Sequence, residues 1–228
     1  EIGAAARMEA LLATPVGRVD IDVDRALGWF EERHRIDLAE EQREAIRRAV
    51  SRKVLVITGG PGTGKTTLVN AVVEILEKKN RKILLAAPTG RAARRLGDLT
   101  GRAARTIHRM LEVSPRTNAF ERNAARPLDA DVLVLDEVSM VDIVLFHHVL
   151  KALPPHCQLV LVGDVDQLPS VGAGNVLRDL IRSRAVDVVR LTKIFRQAEE
   201  SLIITNAHRV NRGEMPVLTP AAEGADFL

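Results

Sequence analysis

Tyrosine is absent from this chain, tryptophan occurs once and phenylalanine five times in 228 residues. So few flat side chains exclude an extended aromatic platform on which planar rings could stack. Cysteine occurs once, at Cys157, which excludes an internal disulfide and suits a reducing, cytoplasmic setting. No apolar run approaches the ~18 residues of a membrane-spanning helix, so no membrane partner is expected. The opening residues, EIGAAARMEALLATPVG, lack a basic region leading into a long apolar core, and they lack an initiator methionine. They are read as the interior of a longer protein and not as a signal peptide.

What remains is ordinary for one large globular domain with appendages: 46% hydrophobic and 28% charged residues. The net charge of +3 is unevenly spread. Between Arg91 and Arg126 nine arginines face only Asp98, Glu112 and Glu121, an excess of six positive charges in 36 residues. Such a field attracts phosphates, or it is simply a solvated arginine-rich face. The pairs His147–His148 and His156–Cys157 are chain neighbours instead of spaced ligands, which argues against zinc.

Helical patterns are expected near Ile2–Ala13, Asp22–His34 and Ala39–Ser51, the second with Asp22 as N-cap. From Lys53 the rhythm changes. Apolar runs suited to buried parallel strands appear at KVLVIT, KILLAAP, DVLVLD, QLVLVGD and VDVVRL. Helices are expected between them at Lys65–Lys79, Arg91–Leu96, Ala104–Leu111, Val138–Leu153 and Gly174–Ser183, and a last one within EESLIITNAHRVN. The stretch EVSPRTNAFERNAARP has no period and reads as an exposed loop. Alternation of this kind implies an α/β fold: a parallel sheet flanked by helices, here with a short helical N-terminal appendage.

The most informative segment is TGGPGTGKTT, directly after the first apolar run. Gly59-x-x-x-x-Gly64-Lys65-Thr66 satisfies every fixed position of the phosphate-binding P-loop, with a strand before and a helix after. Bare glycine backbone lets successive N–H groups curl around an anion, and the following helix adds its positive end. Gly60, Pro61, Gly62, Thr63, Gly64, Lys65, Thr66 and Thr67 form the cradle, Lys65 reaching the β- and γ-phosphates and Thr66 offering its hydroxyl to Mg²⁺. Asp136 and Glu137 follow another strand. Asp136 suits a Mg²⁺ held partly through water, and Glu137 suits a base for the attacking water, which favours hydrolysis of ATP over kinase chemistry. Gln167 follows a third strand, within LVGDVDQLPSVG, where it can meet a γ-phosphate.

These segments resemble, in order, the motifs of superfamily 1 DNA helicases of the RecD-like branch. LAEEQREAI resembles the adenine-recognising glutamine motif, GGPGTGKTT motif I, APTGRAARRL motif Ia, and ARTIHRML the DNA-contacting motif after it. VLDEVSMVD resembles motif II, LVGDVDQLPSVGAGNVLRDL motif III, LTKIFRQ motif IV, and ITNAHRVNRGEMP the segment that follows it. The resemblance covers about residues 38–216. It implies the first RecA-like domain of an ATP-driven helicase moving 5′ to 3′ on single-stranded DNA in repair or recombination. The boundaries it implies are 1–36 for a helical tail of a preceding domain or linker, 37–216 for the ATPase domain and 217–228 for the start of a following segment.

Carried over by residue, the resemblance implies that Gln42 reads adenine and that Gln167 and Arg196 touch the γ-phosphate. Phe195 either stacks on adenine or packs in the core. Pro88, Thr89, Arg91, Thr106 and His108 contact DNA, more through phosphates than through stacking, given the scarcity of aromatics. A second RecA-like domain, supplying an arginine finger, and repair-complex subunits are the implied partners. Two other readings are a nucleotide-binding regulatory module without turnover, which has no use for Glu137, and an RNA motor, against which the form of motif III speaks.

Overall fold

The computed structural model describes residues 1–17, 20–114, 116, 119–195 and 201–218. Six strands form one parallel sheet: β1 (Val54–Gly59), β2 (Ile83–Ala87), β3 (Ala104–Thr106), β4 (Val132–Leu135), β5 (Gln158–Gly163) and β6 (Asp187–Leu191). Their spatial order is β3-β2-β4-β5-β1-β6. The five expected apolar runs are all strands. Their residues alternate between two cores because successive side chains leave a strand on opposite faces. Val54, Val56, Leu133, Leu135, Leu159 and Leu161 enter one hydrophobic cluster. Leu55, Ile57, Val132, Val134, Val160 and Val162 enter the other. A sheet buried on both faces needs apolar residues at every position, which is why these strands read as unbroken runs.

The first face is covered by α1 (Ile2–Ala13), α7 (Ile143–Ala152) and α8 (Val176–Ser183), through Met8, Leu11, Phe146, Val149 and Leu177. The second is covered by α2 (Val23–His34), α3 (Glu40–Ser51) and α4 (Lys65–Glu77), through Leu27, Phe30, Ile46, Leu68 and Val72. α5 (Gly90–Thr100) follows β2, and the single turn α6 (Ile107–Met110) follows β3. A last helix, α9 (Leu202–Asn211), lies beyond β6. The Asp22 side chain caps α2, accepting from the Arg25 N–H at 3.1 Å. Among the described residues no helix is long and apolar enough to cross a membrane.

Two sequence expectations need correction. Ala104–Thr106 is not helical: it pairs with β2 as an edge strand, Ala104 opposite Leu85 and Thr106 opposite Ala87, so sheet pairing overrides the local helix-forming composition. The helix expected over Val138–Leu153 is broken. Glu137 takes a left-handed φ of 53°, Val138–Met140 form a 3₁₀ turn, and α7 restarts under its own cap, Asp142 accepting from the Leu145 N–H at 2.8 Å. The stretch expected as an exposed loop has no helix or strand and no buried residue among its described positions, with one isolated antiparallel bridge between Val113 and Phe120. The Phe120 ring lies 4.6 Å from that of His148 and 5.8 Å from that of His108.

The first two helices share the cores of the sheet. α1 buries Ala4, Met8 and Leu11 against α7 and its neighbours. Phe30 of α2 is 1% exposed. The Glu31 carboxylate accepts two hydrogen bonds from Arg43 of α3, at 2.7 and 2.8 Å. Phe30→Ala is therefore expected to lower the unfolding free energy of the whole domain by about 3–5 kcal/mol. Chemical denaturation reads this directly, and an unchanged midpoint would mean that α2 is detached from the cooperative unit.

Candidate nucleotide and nucleic-acid site

The loop between β1 and α4 has the backbone that its sequence demands. Gly62 and Gly64 take φ of 76° and 75°, a region open to glycine and strained for other residues. α4 begins at Lys65 with Gly64 as N-cap and no side chain on its first N–H groups, which leaves them for an anion. Thr63 is buried and its hydroxyl donates to the Gly60 carbonyl at 2.8 Å. Lys65 Nζ donates to the carbonyls of Gly59 (2.5 Å) and Gly60 (2.8 Å), so the ammonium is folded onto its own loop. Thr66 is half-buried and Thr67 exposed.

Parallel strands with β4, β5 and β1 adjacent put three loops side by side at their carboxyl ends, where ligands sit in such sheets. The loop after β4 carries Asp136 and Glu137, and the loop after β5 carries Asp164 and Gln167. Burial pulls the Lys65 ammonium below its ordinary value, against the attraction of Asp164, Glu137 and Asp136. Burial likewise raises Asp136, although the Glu137 N–H donates to it at 2.9 Å. Glu137 is raised by burial and then by the negative charge of Asp136. Its Oε2 is buried without a hydrogen-bond partner among the described residues. Gln167 is exposed, and its Oε1 accepts from the Ser139 hydroxyl at 3.4 Å, tying the post-β5 loop to the post-β4 turn.

A triphosphate fits this arrangement. It offers oxygens to Lys65 and to the free N–H groups of α4, and a water beside it gives Glu137 Oε2 the partner it lacks. Among the described residues no three His, Cys, Asp or Glu side chains are grouped to hold a metal. The Mg²⁺ expected at Thr66 and Asp136 would be shared with phosphates and water, which is how Mg²⁺ usually binds.

Gln42 and Phe195 meet at Gly64. Gln42 is 1% exposed; its Oε1 accepts from the Ala39 N–H at 3.0 Å and its Nε2 donates to the Gly64 carbonyl at 3.4 Å. The Phe195 N–H donates to the Gly62 carbonyl at 3.2 Å, and the ring lies 2.7 Å from where a Cβ on Gly64 would project. Phe195 thus leans on the phosphate loop. Arg196 lies outside the described residues.

The residues expected to contact DNA gather at one sheet edge, because Ala87 at the end of β2 faces Thr106 at the end of β3. Pro88 and Thr89 follow β2. The Thr89 hydroxyl accepts from the Ala92 N–H and caps α5; the Thr106 hydroxyl accepts from the Arg109 N–H and caps α6, each at 3.2 Å. Neither hydroxyl donates a hydrogen bond among the described residues. Arg91 and His108 are exposed. The positive excess is partly consumed by structure: Arg102 pairs with Glu77 at 2.6 Å, while Arg122 and Arg126 share Glu112 at 2.7 and 3.2 Å. Arg91, Arg95, Arg105 and Arg109 form no ion pair among the described residues, and they surround the two threonines in sequence.

Two further residues, Glu41 and His208, join the site. Glu41 accepts from the Thr192 N–H at 2.6 Å, from the Thr192 hydroxyl, and from the Lys193 N–H at 3.4 Å, fixing the segment that delivers Phe195. Burial raises its pKa, but these donors prevail and hold the carboxyl below its ordinary value. His208 of α9 touches the loop at Gly60 and Pro61. The Glu41 and His208 contacts span 151 and 147 positions, beyond any local pattern. The only sequence signals are the place of Glu41 beside Gln42 and that of His208 in the segment after motif IV.

Comparison with known proteins agrees with this geometry. The model of the AAA domain family matches residues 42–173. The chain is 41% identical over 212 residues to the ATP-dependent RecD2 DNA helicase of Deinococcus radiodurans, covering 93% of this chain and 29% of that protein. It is 39% identical over 210 residues to the RecBCD enzyme subunit RecD of Mycolicibacterium smegmatis, covering 81% and 38%. The chain thus spans about a third of the length of these relatives. The crystal structure of the Pif1 helicase from Candida albicans has the same fold, with a TM-score of 0.61 at 24% identity over 83% of this chain and 50% of that one.

Asp136 and Glu137 both keep their protons to higher pH in the folded chain than in the unfolded one. The folded state then binds more protons across that interval, so stability falls as pH rises through it, and the full cost is present at neutral pH. Glu137→Gln is expected to raise the melting temperature of the nucleotide-free protein at pH 7. The gain should vanish below the ordinary glutamate value of 4.5. Thermal melts across pH measure it; a variant less stable than wild type at pH 7 contradicts the burial argument.

Proposed function

This chain belongs to the RecD-like superfamily 1 helicases, whose first RecA-like domain it forms, and from that membership we propose that it drives 5′-to-3′ movement on single-stranded DNA by hydrolysing ATP. The observation that carries the reading is the buried, unpartnered Oε2 of Glu137 in a group with Asp136, Asp164 and Lys65. A half-buried carboxylate with its proton affinity raised, one of whose oxygens is out of solvent and without a partner among the described residues, is suited to take a proton from water. A regulatory module has no reason to bear that cost.

Bound Mg²⁺ would neutralise phosphate charge and orient the transferred group, held by Thr66 and, through water, Asp136. Lys65 exchanges the carbonyls of Gly59 and Gly60 for phosphate oxygens. Glu137 orients and deprotonates the water. Gln167 would meet the γ-phosphate, and its bond with Ser139 would pass the loss of that phosphate to the post-β4 turn. Gln42 and Phe195 receive the adenine, and Arg196 adds a positive charge beside the phosphates. Thr89, Arg91, Thr106 and His108, next to Pro88, hold the DNA backbone. A second RecA-like domain supplies an arginine that meets charge developing in the transition state. Repair or recombination is the proposed setting, with subunits of a repair complex as partners; one relative is named as a RecBCD subunit.

In the full-length protein, Glu137→Gln is expected to keep ATP binding and to lose about 10²-fold or more in DNA-stimulated phosphate release. Lys65→Ala is expected to weaken ATP binding itself by about 1.5–3 kcal/mol. Unchanged turnover in the glutamine variant would remove Glu137 from the chemistry.

Single-strand affinity is expected to fall with salt at a log–log slope of about −0.7 per phosphate contacted. Arg91→Ala should flatten that slope for every DNA sequence alike, as titrations at several salt concentrations will register. An identical slope in the variant would place the DNA away from Arg91.

A further inference from the structure

Helix α9 is held in an unusual way. Its one buried residue is polar, Asn206, while Ile203 and Val210 stand 52% and 59% exposed. Burial of apolar surface therefore contributes little to its docking. Asn206 faces the returning chain: its Nδ2 donates to the Val217 carbonyl at 2.9 Å and its Oδ1 accepts from the Val217 N–H at 2.7 Å. Arg209 does the same, its Nε donating to the Met215 carbonyl at 2.8 Å. These bonds brace α9 on its own tail.

Two other side chains reach the sheet body. His208 Nε2 lies 2.9 Å from the Pro61 carbonyl. A carbonyl only accepts, so Nε2 carries the proton and donates. The imidazole also fills the space over Gly60, with Cε1 2.6 Å from where a Cβ would stand. Asn211 Nδ2 donates to Asp166 Oδ2 at 2.8 Å, one residue before Gln167. His208 and Asn211 are three residues apart and share a helix face. One helical turn therefore grips the phosphate loop and the post-β5 loop together.

We propose that His208 is a positioning residue of the nucleotide site. It fixes the Pro61 peptide of the phosphate loop through Nε2–H, and with Asn211 it makes α9 a strut setting that loop against the loop of Gln167. The proposal rests on the ATPase reading above and adds to it a residue that acts through the loop backbone instead of on the phosphates. A glycine-rich loop has few side chains to hold its peptides in place, so a donor from outside limits the conformations that it must give up on binding. Losing that donor costs nucleotide affinity.

The test uses the full-length protein with His208→Ala, His208→Phe, His208→Gln and Asn211→Ala. A fluorescent ATP analogue is titrated at equilibrium, and KM and kcat are measured for DNA-stimulated hydrolysis. Loss of one neutral hydrogen bond predicts an about three- to tenfold weaker affinity for the alanine and phenylalanine variants. KM should rise in proportion, with a smaller change in kcat. His208→Gln, which can place an amide donor near the same carbonyl, should recover most of the loss. Asn211→Ala should shift affinity in the same direction, and combining it with His208→Ala should add less than its separate effect. Wild-type affinity in His208→Phe, or no recovery in His208→Gln, would overturn the donor role. A wild type that binds no nucleotide would instead sink the ATPase reading.

Discussion

At three glycines of the phosphate loop a neighbour sits where a Cβ would project: the Leu191 carbonyl at Gly59, His208 at Gly60, Gln42 and Phe195 at Gly64. Much of the site follows from this. A loop stripped of side chains offers its N–H groups to an anion but has little with which to hold its own shape. Its shape is therefore borrowed from elements far away in sequence: the end of β6, the start of α3, the segment after β6, and α9. Each contributes a contact at less than van der Waals distance from a position that a larger residue would occupy. The requirement for glycine and the clustering of α3, β6 and α9 around the loop are two sides of one constraint.

The second constraint is electrostatic. Three carboxylates and one ammonium are brought to adjoining strand ends, and burial opposes the charge of Lys65, Asp136 and Glu137. The attraction of each carboxylate for Lys65 offsets part of that cost, whereas Asp136 and Asp164 repel Glu137. Lys65 spends its hydrogen bonds on loop carbonyls, and Glu137 Oε2 has no partner among the described residues. The left-handed φ of 53° at Glu137 adds backbone strain at the same point. Sites that must release energy on meeting a ligand are where a protein tolerates such costs.

The sequence made the frame legible because the frame is local. Strands buried on both faces must be continuously apolar, and the P-loop spacing is fixed by backbone geometry over eight residues. Hence the strands at KVLVIT and DVLVLD and the cradle spacing at Gly59–Thr66 stand in the local pattern, and Asp136 and Glu137 directly follow one of those strands. What escaped was decided elsewhere in the chain. Ala104–Thr106 becomes a strand because β2 offers an edge. Glu41 matters because Thr192 and Lys193 come to it from 151 and 152 positions away. His208 matters because α9 returns to the loop, a fact with no trace in the periodicity of α9 itself.

The arginine excess shows the same limit from the side of charge. A count over Arg91–Arg126 treats nine cations as one field, yet Arg102 is committed to Glu77 of α4, outside the window counted. Glu112 draws in both Arg122 and Arg126, and its carboxyl is held below the ordinary value, first by the hydrogen bond from Arg122. The first pair ties the α5–β3 turn to α4, and the other two close the post-α6 segment on itself. Among the described residues Arg91, Arg95, Arg105, Arg109 and Arg116 form no ion pair, and the first four flank Thr89 and Thr106 at the carboxyl ends of β2 and β3, with Arg95 also acting on Asp136 and Glu137. Arg102, Arg122 and Arg126 are thus committed to structure, while Arg91, Arg105 and Arg109 beside the two capped helix starts form no ion pair among the described residues. With Phe120 half-buried against His148, little aromatic surface is left at this edge. A nucleic acid held here meets guanidinium groups and hydroxyl donors before it meets a ring, so its backbone is what this surface can grip.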